Sequence, residues 1–159
     1  MKIATTRFGD LEIPEENVVA FPEGLPGFDT RRFILLKHDQ NPIVEWLQSV
    51  DQPEIALMTI DPRELSLDYR PDPKPGEVRA VVPEGADQDQ LHLRVIMRVG
   101  EQAGTLYLNL FAPLLFNVTK KLGMQVPLVG SGFSVRHVWP AAAVTGAPAA
   151  PAPAPDPED

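Results

Sequence analysis

Leu91-His92-Leu93-Arg94-Val95-Ile96-Met97-Arg98-Val99 is the stretch on which the fold turns. Its odd positions are all apolar and its even positions are mostly His or Arg, the period of two that marks a β-strand with one face in a core. Gly100-Glu101-Gln102-Ala103-Gly104 then reads as a turn, and Thr105 to Leu110 as the returning strand. Upstream, Ile3 to Phe8 and Leu11 to Ile13 flank Gly9-Asp10 as a short hairpin. Arg32 to His38, Ile43 to Val50 and Glu54 to Ile60 are further strands, separated by the turn compositions Asp39-Gln40-Asn41-Pro42 and Asp51-Gln52-Pro53. Asp61 to Leu65 fits one helical turn, and Pro71, Pro73, Pro75 and Gly76 mark an extended loop before a short strand over Val78 to Val82. Short strands about ten residues apart predict an all-β, mainly antiparallel sandwich or barrel, with no long helix.

The 159 residues are 43% hydrophobic, enough for one core, and carry a formal charge of −8. That charge opposes phosphate contact and anionic lipid, so neither nucleic acid nor membrane is an expected direct partner. It suits a partner with basic patches. The absence of cysteine excludes disulfides, thiolate metal sites and cysteine nucleophiles. Met1 to Arg7 holds no signal-peptide core, and the longest near-apolar run, Leu110 to Phe116, is far too short to span a bilayer. A cytoplasmic location is the expectation. From Ala141 to Asp159 the chain reads AAAVTGAPAAPAPAPDPED, which has little to bury and is expected to be a disordered, Ala/Pro-rich acidic tail behind one domain over residues 1–140.

Catalytic chemistry is hard to place. His38, His92 and His137 lie in separate strand contexts, and Asp61, Glu64 and Asp68 fit no calcium-loop spacing. Gly130-Ser131-Gly132 reads as a turn rather than a nucleophile elbow, and Gly24-Leu25-Pro26-Gly27 as a tight loop rather than a phosphate cradle. The residues alone thus point to an acidic β-protein without catalytic, cofactor or metal residues. A barrel that holds a small ligand in an internal cavity stays open beside that reading, as does a hydrolase whose titratable groups meet only in three dimensions.

Four stretches, in order, resemble the flagellar assembly factor FliW family. They are Phe21-Pro22-Glu23-Gly24-Leu25-Pro26-Gly27-Phe28, then Trp46-Leu47-Gln48-Ser49, then Asp61-Pro62 with Asp68-Tyr69, and lastly Asn109-Leu110-Phe111-Ala112-Pro113-Leu114-Leu115-Phe116-Asn117 completed by Gln125-Val126. Pro127 departs from the family pattern of a continuing aliphatic strand, and the Ala/Pro tail exceeds it. The resemblance implies a compact β-barrel-like fold and a non-enzymatic chaperone and regulator in the cytoplasm. Such a protein would bind flagellin and, when free, the RNA-binding regulator CsrA, relieving the repression of flagellin translation.

Within these stretches Gly24 and Gly27 supply backbone freedom for a tight loop that ends at Phe28. Trp46 and Leu47 face opposite sides of a strand, with Gln48 next to them. Asn109 and Asn117 either cap turns and satisfy buried backbone groups or touch a partner, and Lys120-Lys121 is a solvated turn or a contact for an acidic surface. Pro113 cannot donate to a ladder and is expected at an edge or bend, with Gln125 in the strand that follows. Leu110, Leu114, Leu115 and Phe116 exceed what one strand face buries, and Ile96 lies opposite its strand's core residues. These five and Asn117 form the expected partner surface, the alternative being a second core layer in a closed barrel.

Overall fold

The computed structural model describes residues 1–82, 91–102 and 104–140. Among the described residues, eleven strands run in chain order as β1 (Lys2–Thr5), β2 (Gly9–Glu12), β3 (Val19–Ala20), β4 (Arg32–Lys37), β5 (Val44–Ser49), β6 (Ala56–Ile60), β7 (Leu91–Val99), β8 (Thr105–Leu108), β9 (Leu114–Asn117), β10 (Leu122–Gln125) and β11 (His137–Pro140). The helical content of the described residues is confined to 3-10 turns at Glu15–Asn17, Pro62–Leu65 and Pro75–Val78. The expected all-β, mainly antiparallel fold is what forms, and β7 has the predicted bounds.

β7 closes the barrel because its length lets one edge serve two partners. Its first half pairs with β9, Leu91 opposite Asn117 through Arg94 opposite Leu114, while its second half pairs with β8. The other edge pairs with β6. From there the order β6-β5-β4-β3-β10-β9 returns to β7, so the sheet is a closed ring with β8 and β11 as a wing. The β3–β10 pairing is parallel and every other pairing antiparallel.

Closure buries both faces of the wall. Inside lie Val19, Phe21, Phe33, Leu47, Leu57, Leu114 and Phe116, with Leu35 and Ile96 packed against them. Outside β7 and β9, Leu93, Val95, Met97 and Leu115 meet Leu65, Tyr69, Val78 and Val81 of the segment between β6 and β7. Outside β4, Ile34 and Val50 are covered by Ile3 and Ile13 of the β1–β2 hairpin. A closed barrel has one interior, so the apolar set spread around the whole ring is the lumen and the other two clusters are outer layers. Apolar side chains from around the ring pack against one another in the lumen.

Three local expectations are corrected. Gly9 and Asp10 belong to β2, and the hairpin turn lies at Thr6–Phe8, where the Thr5 hydroxyl donates to the Gly9 carbonyl (2.7 Å) and accepts from the Phe8 N–H (2.8 Å). Val78 to Val82 is not a strand. Pro75 starts a 3-10 turn there, and the Val81 and Val82 N–H groups both donate to the Val78 carbonyl, which turns Val78 and Val81 into the outer core. The strand begun at Thr105 stops at Leu108 because Asn109 uses its side chain to start the next turn. The expected tail over 141–159 lies outside the described residues.

Candidate functional site

The motif residues meet at the seam where β3, β9 and β10 close the ring. Gly24 and Gly27 have φ of +72° and +90°, the left-handed backbone that glycine adopts without strain, and they turn the chain from Phe21 to Phe28. Phe21 thereby enters the lumen edge-on to Phe33 and Phe116, with centroids 5.1 and 5.7 Å away. Its ring sits over Gly123, where a Cβ would lie 2.6 Å from the ring.

The amide side chains of the motifs cap backbone groups. Asn109 Oδ1 accepts from the Ala112 N–H (3.0 Å), and Gln125 Nε2 donates to the Ala112 carbonyl (3.1 Å). Asn117, fully buried, donates to the Val81 carbonyl (2.8 Å) and accepts from the Lys120 N–H (3.0 Å), tying β9 to the outer segment. Gln48 Nε2 donates to the Ser49 and Pro53 carbonyls, while its buried Oε1 has no partner among the described residues. Of the two readings of Asn109 and Asn117, capping is therefore the one with partners in place. Pro113 is buried and offers its carbonyl to the Val126 N–H (2.9 Å); Pro127 follows as an exposed residue where β10 has already ended.

The expectation of an exposed apolar patch is corrected. Leu110, Leu114, Leu115, Phe116 and Asn117 are all buried, and Ile96 is only partly accessible, packed in the lumen cluster. The alternative reading, a second core layer in a closed barrel, is the one that fits, since ring closure gives each wall residue a layer on its own side. Trp46 and Leu47 do face opposite sides, yet both are buried: Leu47 in the lumen, Trp46 under the Phe8 ring, the Arg7 guanidinium (4.3 Å from the ring) and a stacked His38.

Leu115 and Leu93 do reach one surface feature, a cleft of about 490 Å³ on the outer wall. Its apolar floor is completed by Leu67 and Leu91, and its rim carries Arg63, Asp68, Arg70, Pro71 and Pro73. The Tyr69 hydroxyl is spent on the Leu110 carbonyl (2.6 Å), and burial raises its pKa well above the ordinary tyrosine value. Asp61 caps the Pro62–Leu65 turn through the Arg63 N–H (3.0 Å) and holds the Arg63 guanidinium at 2.8 Å. Burial alone would raise the Asp61 pKa, but the hydrogen bonds from Arg63 outweigh it and leave the carboxyl below its usual range. The rim can thus present fixed charges beside apolar floor, a setting for an apolar side chain from a protein partner.

Two features escaped the sequence reading. Arg94, read as an outward residue, points into the lumen, donating to Thr59 Oγ1 (2.7 Å) and to the carbonyls of Thr59 and Ile43, with Glu45 at 3.3 Å. Burial lowers its pKa, and the neighbouring carboxylates oppose that shift. It stoppers one end of the barrel. The second is Tyr107, whose ring lies under the guanidiniums of Arg98 (5.0 Å) and Arg136 (4.2 Å). Alternation alone could not reveal either, because it does not say which face of β7 is the lumen.

His38 Nδ1 accepts from the Gln40 and Asn41 N–H groups (3.1 and 3.2 Å), so it closes the β4–β5 turn. Among the described residues, no three His, Asp or Glu side chains are grouped to hold a metal ion, and no helix is long and apolar enough to cross a membrane.

Geometry of this kind defines a side-chain-filled, all-β barrel whose polar side chains mostly cap its own backbone. Its surface carries an apolar-floored cleft with a charged rim. The family model described as "FliW protein" matches residues 2–139. The flagellar assembly factor FliW of Desulfitobacterium hafniense (strain DSM 10664 / DCB-2) is 33% identical over 153 residues, which cover 93% of this chain and 97% of that protein. That of Syntrophotalea carbinolica is 38% identical over 141 residues, 88% of this chain and 99% of the relative. A crystal structure of the flagellar assembly factor FliW matches with a TM-score of 0.77 and 32% identity, over 86% of this chain and 95% of that one. The chain belongs to the FliW family of flagellar assembly factors.

Proposed function

We propose that this chain is a cytoplasmic, non-enzymatic partner switch that binds flagellin and, when free of it, binds the RNA-binding regulator CsrA and relieves repression of flagellin translation. Membership of the FliW family carries this reading. The charge of −8 supports it, since an acidic protein attracts a regulator whose surface is basic enough to hold RNA. Of the residues expected at the partner surface, Leu115 keeps that role through the cleft it lines, while Leu110, Leu114, Phe116, Asn117 and Ile96 serve by holding the wall behind it.

Titration calorimetry of the purified chain against flagellin and against CsrA, with amide shifts mapped on this chain, tests the proposal. Saturable binding to both is expected, with shifts around Leu67, Arg70 and Pro73. A gel shift should find no tight binding of this chain itself to a flagellin leader RNA. Absence of binding to either protein, or tight direct RNA binding, would overturn the reading.

A further inference from the structure

We propose that the uncovered face of the wing formed by β8 and β11 is a docking surface, centred on Tyr107 and Arg136, for a protein partner that sets a carboxylate beside apolar side chains. Closure covers both faces of the ring wall, but among the described residues the wing is covered on one face only. In β8, Leu106 and Leu108 are buried, while Thr105 and Tyr107 on the other face are half-buried. Tyr107 pairs with Arg98 of β7 and with Val138 of β11, so these three share that face. It continues the lumen side of β7 past Ile96, where β9 has given way to β8 and the sheet leaves the ring. Among the described residues five large apolar side chains are exposed, and two of them, Val135 (62%) and Val138 (59%), lie within two positions of Arg136.

The composition is that of an interface centre: an aromatic ring under the guanidiniums of Arg136 (4.2 Å) and Arg98 (5.0 Å), bordered by exposed apolar side chains. Arg98 is already engaged, so it buttresses the ring, and the exposed Arg136 is the cation on offer, with Glu101 the acid whose field reaches it. The ring and the valines carry the contact; an exposed ion pair adds little affinity but selects the partner. Arg7 and His38 on Trp46 form another basic and aromatic cluster, yet Trp46 is buried beneath them and offers no ring. The formal charge of −8 disfavours nucleic acid on either cluster. A regulator basic enough to hold RNA is attracted by the molecule as a whole but repelled locally by the two arginines of the wing. Of the two partners proposed above, the wing therefore falls to flagellin, and the inference rests on that reading for this choice. Arg98 has the opposite parity to Leu91 and Leu93 of the cleft, so the wing surface is additional to the cleft and lies on the other face of the sheet.

Titration calorimetry of the full-length parent, Tyr107→Ala and Arg136→Glu against flagellin and against CsrA tests this, with melting curves to establish that each variant is folded. Both variants should bind flagellin at least about tenfold more weakly than the parent and bind CsrA within about twofold of it. Arg136 is exposed and outside the packed clusters, so Arg136→Glu keeps the test open even where Tyr107→Ala loosens the wing. A parent that does not bind flagellin would overturn this inference together with the proposed function. A parent that binds flagellin, with folded Arg136→Glu binding it equally well, would overturn this inference alone, as would an equal loss of CsrA binding. Two further results would overturn it by naming another occupant. One is a parent that self-associates through the wing, dissociating in Tyr107→Ala; the other is a parent that holds flagellin leader RNA and releases it in Arg136→Glu.

Discussion

Replacing Gly123 by alanine tests the closure seam with the smallest possible change. An added Cβ would sit 2.6 and 2.7 Å from two ring carbons of Phe21, far inside any ordinary carbon contact. The ring has nowhere to go: Phe21 has no exposed surface and is held edge-on by Phe33 and Phe116. Backbone strain plays no part, since Gly123 does not have positive φ. Alanine in a strand would ordinarily gain about 0.5–1 kcal/mol over glycine. Overpacking a fixed aromatic costs about 1–3 kcal/mol or more. The clash wins, so a net loss of about 1–2 kcal/mol is expected, seen as a fall in melting temperature of roughly 3–8 °C for a chain of this size. Phe21→Leu removes the obstructing atoms, so the double variant should lose less than the sum of the two single losses, with a coupling of about 1 kcal/mol. Urea denaturation monitored by circular dichroism measures all four proteins. Gly123→Ala as stable as the parent, or strict additivity with Phe21→Leu, would refute the packing account.

Asn117→Ala should destabilise the fold by about 1–3 kcal/mol, because the buried Val81 carbonyl loses its donor; denaturant midpoints check this. The depressed Asp61 pKa contributes stability that is present above the unfolded carboxylate pKa and is lost as pH falls through the folded one. Asp61→Asn should therefore lower stability near neutral pH and flatten the fall below about pH 4, read from unfolding curves across the acid range. Truncation after Pro140 should move the melting temperature by less than about 5 °C, since an Ala/Pro segment brings little apolar area to bury; a larger drop would mean that the tail is part of the folded core.

How far the sequence could be read depended on what alternation encodes. A period of two locates strands, and it located β7, β4, β5 and β6 to within a residue or two at most ends. It assigns one buried face per strand. In an open sheet that suffices, but β7 divides one edge between β8 and β9, a tertiary event with no local signature. The candidate site turns on the same point: of the two readings of Ile96 and the Leu114–Phe116 surplus, exposed surface or second core layer in a closed barrel, ring closure produces the core layer, and it turns Arg94 into the lumen. The surplus was itself the clue, because consecutive buried residues are what a strand covered on both sides looks like. Proline punctuation was legible for the Pro62–Leu65 turn yet misled at Val78, where valines that favour strands serve as plugs on a 3-10 turn.

The positions that carry the family resemblance share one structural task. Phe21 and Phe116 meet in the lumen across Gly123; Ala112 is held by both Asn109 and Gln125; Val126 bonds Pro113; Asn117 reaches Val81. Together they join β3, β9 and β10 and fasten the outer segment, so they specify that this ring closes and in which register. That is why they identify the fold better than they locate a partner surface: most side chains engaged in closure are buried or hydrogen-bonded, and of the same stretches Asp68, Tyr69 and Leu115 reach the cleft. Partner choice must then be written in side chains that the scaffold does not need, such as the rim of the Leu93–Leu115 cleft and the guanidiniums over Tyr107. Substituting Arg70, which is 86% exposed, should leave stability unchanged while altering binding, whereas Gly123→Ala should do the reverse at permissive temperature. A chain in which both substitutions moved stability and binding together would show that scaffold and surface are not separable in this way.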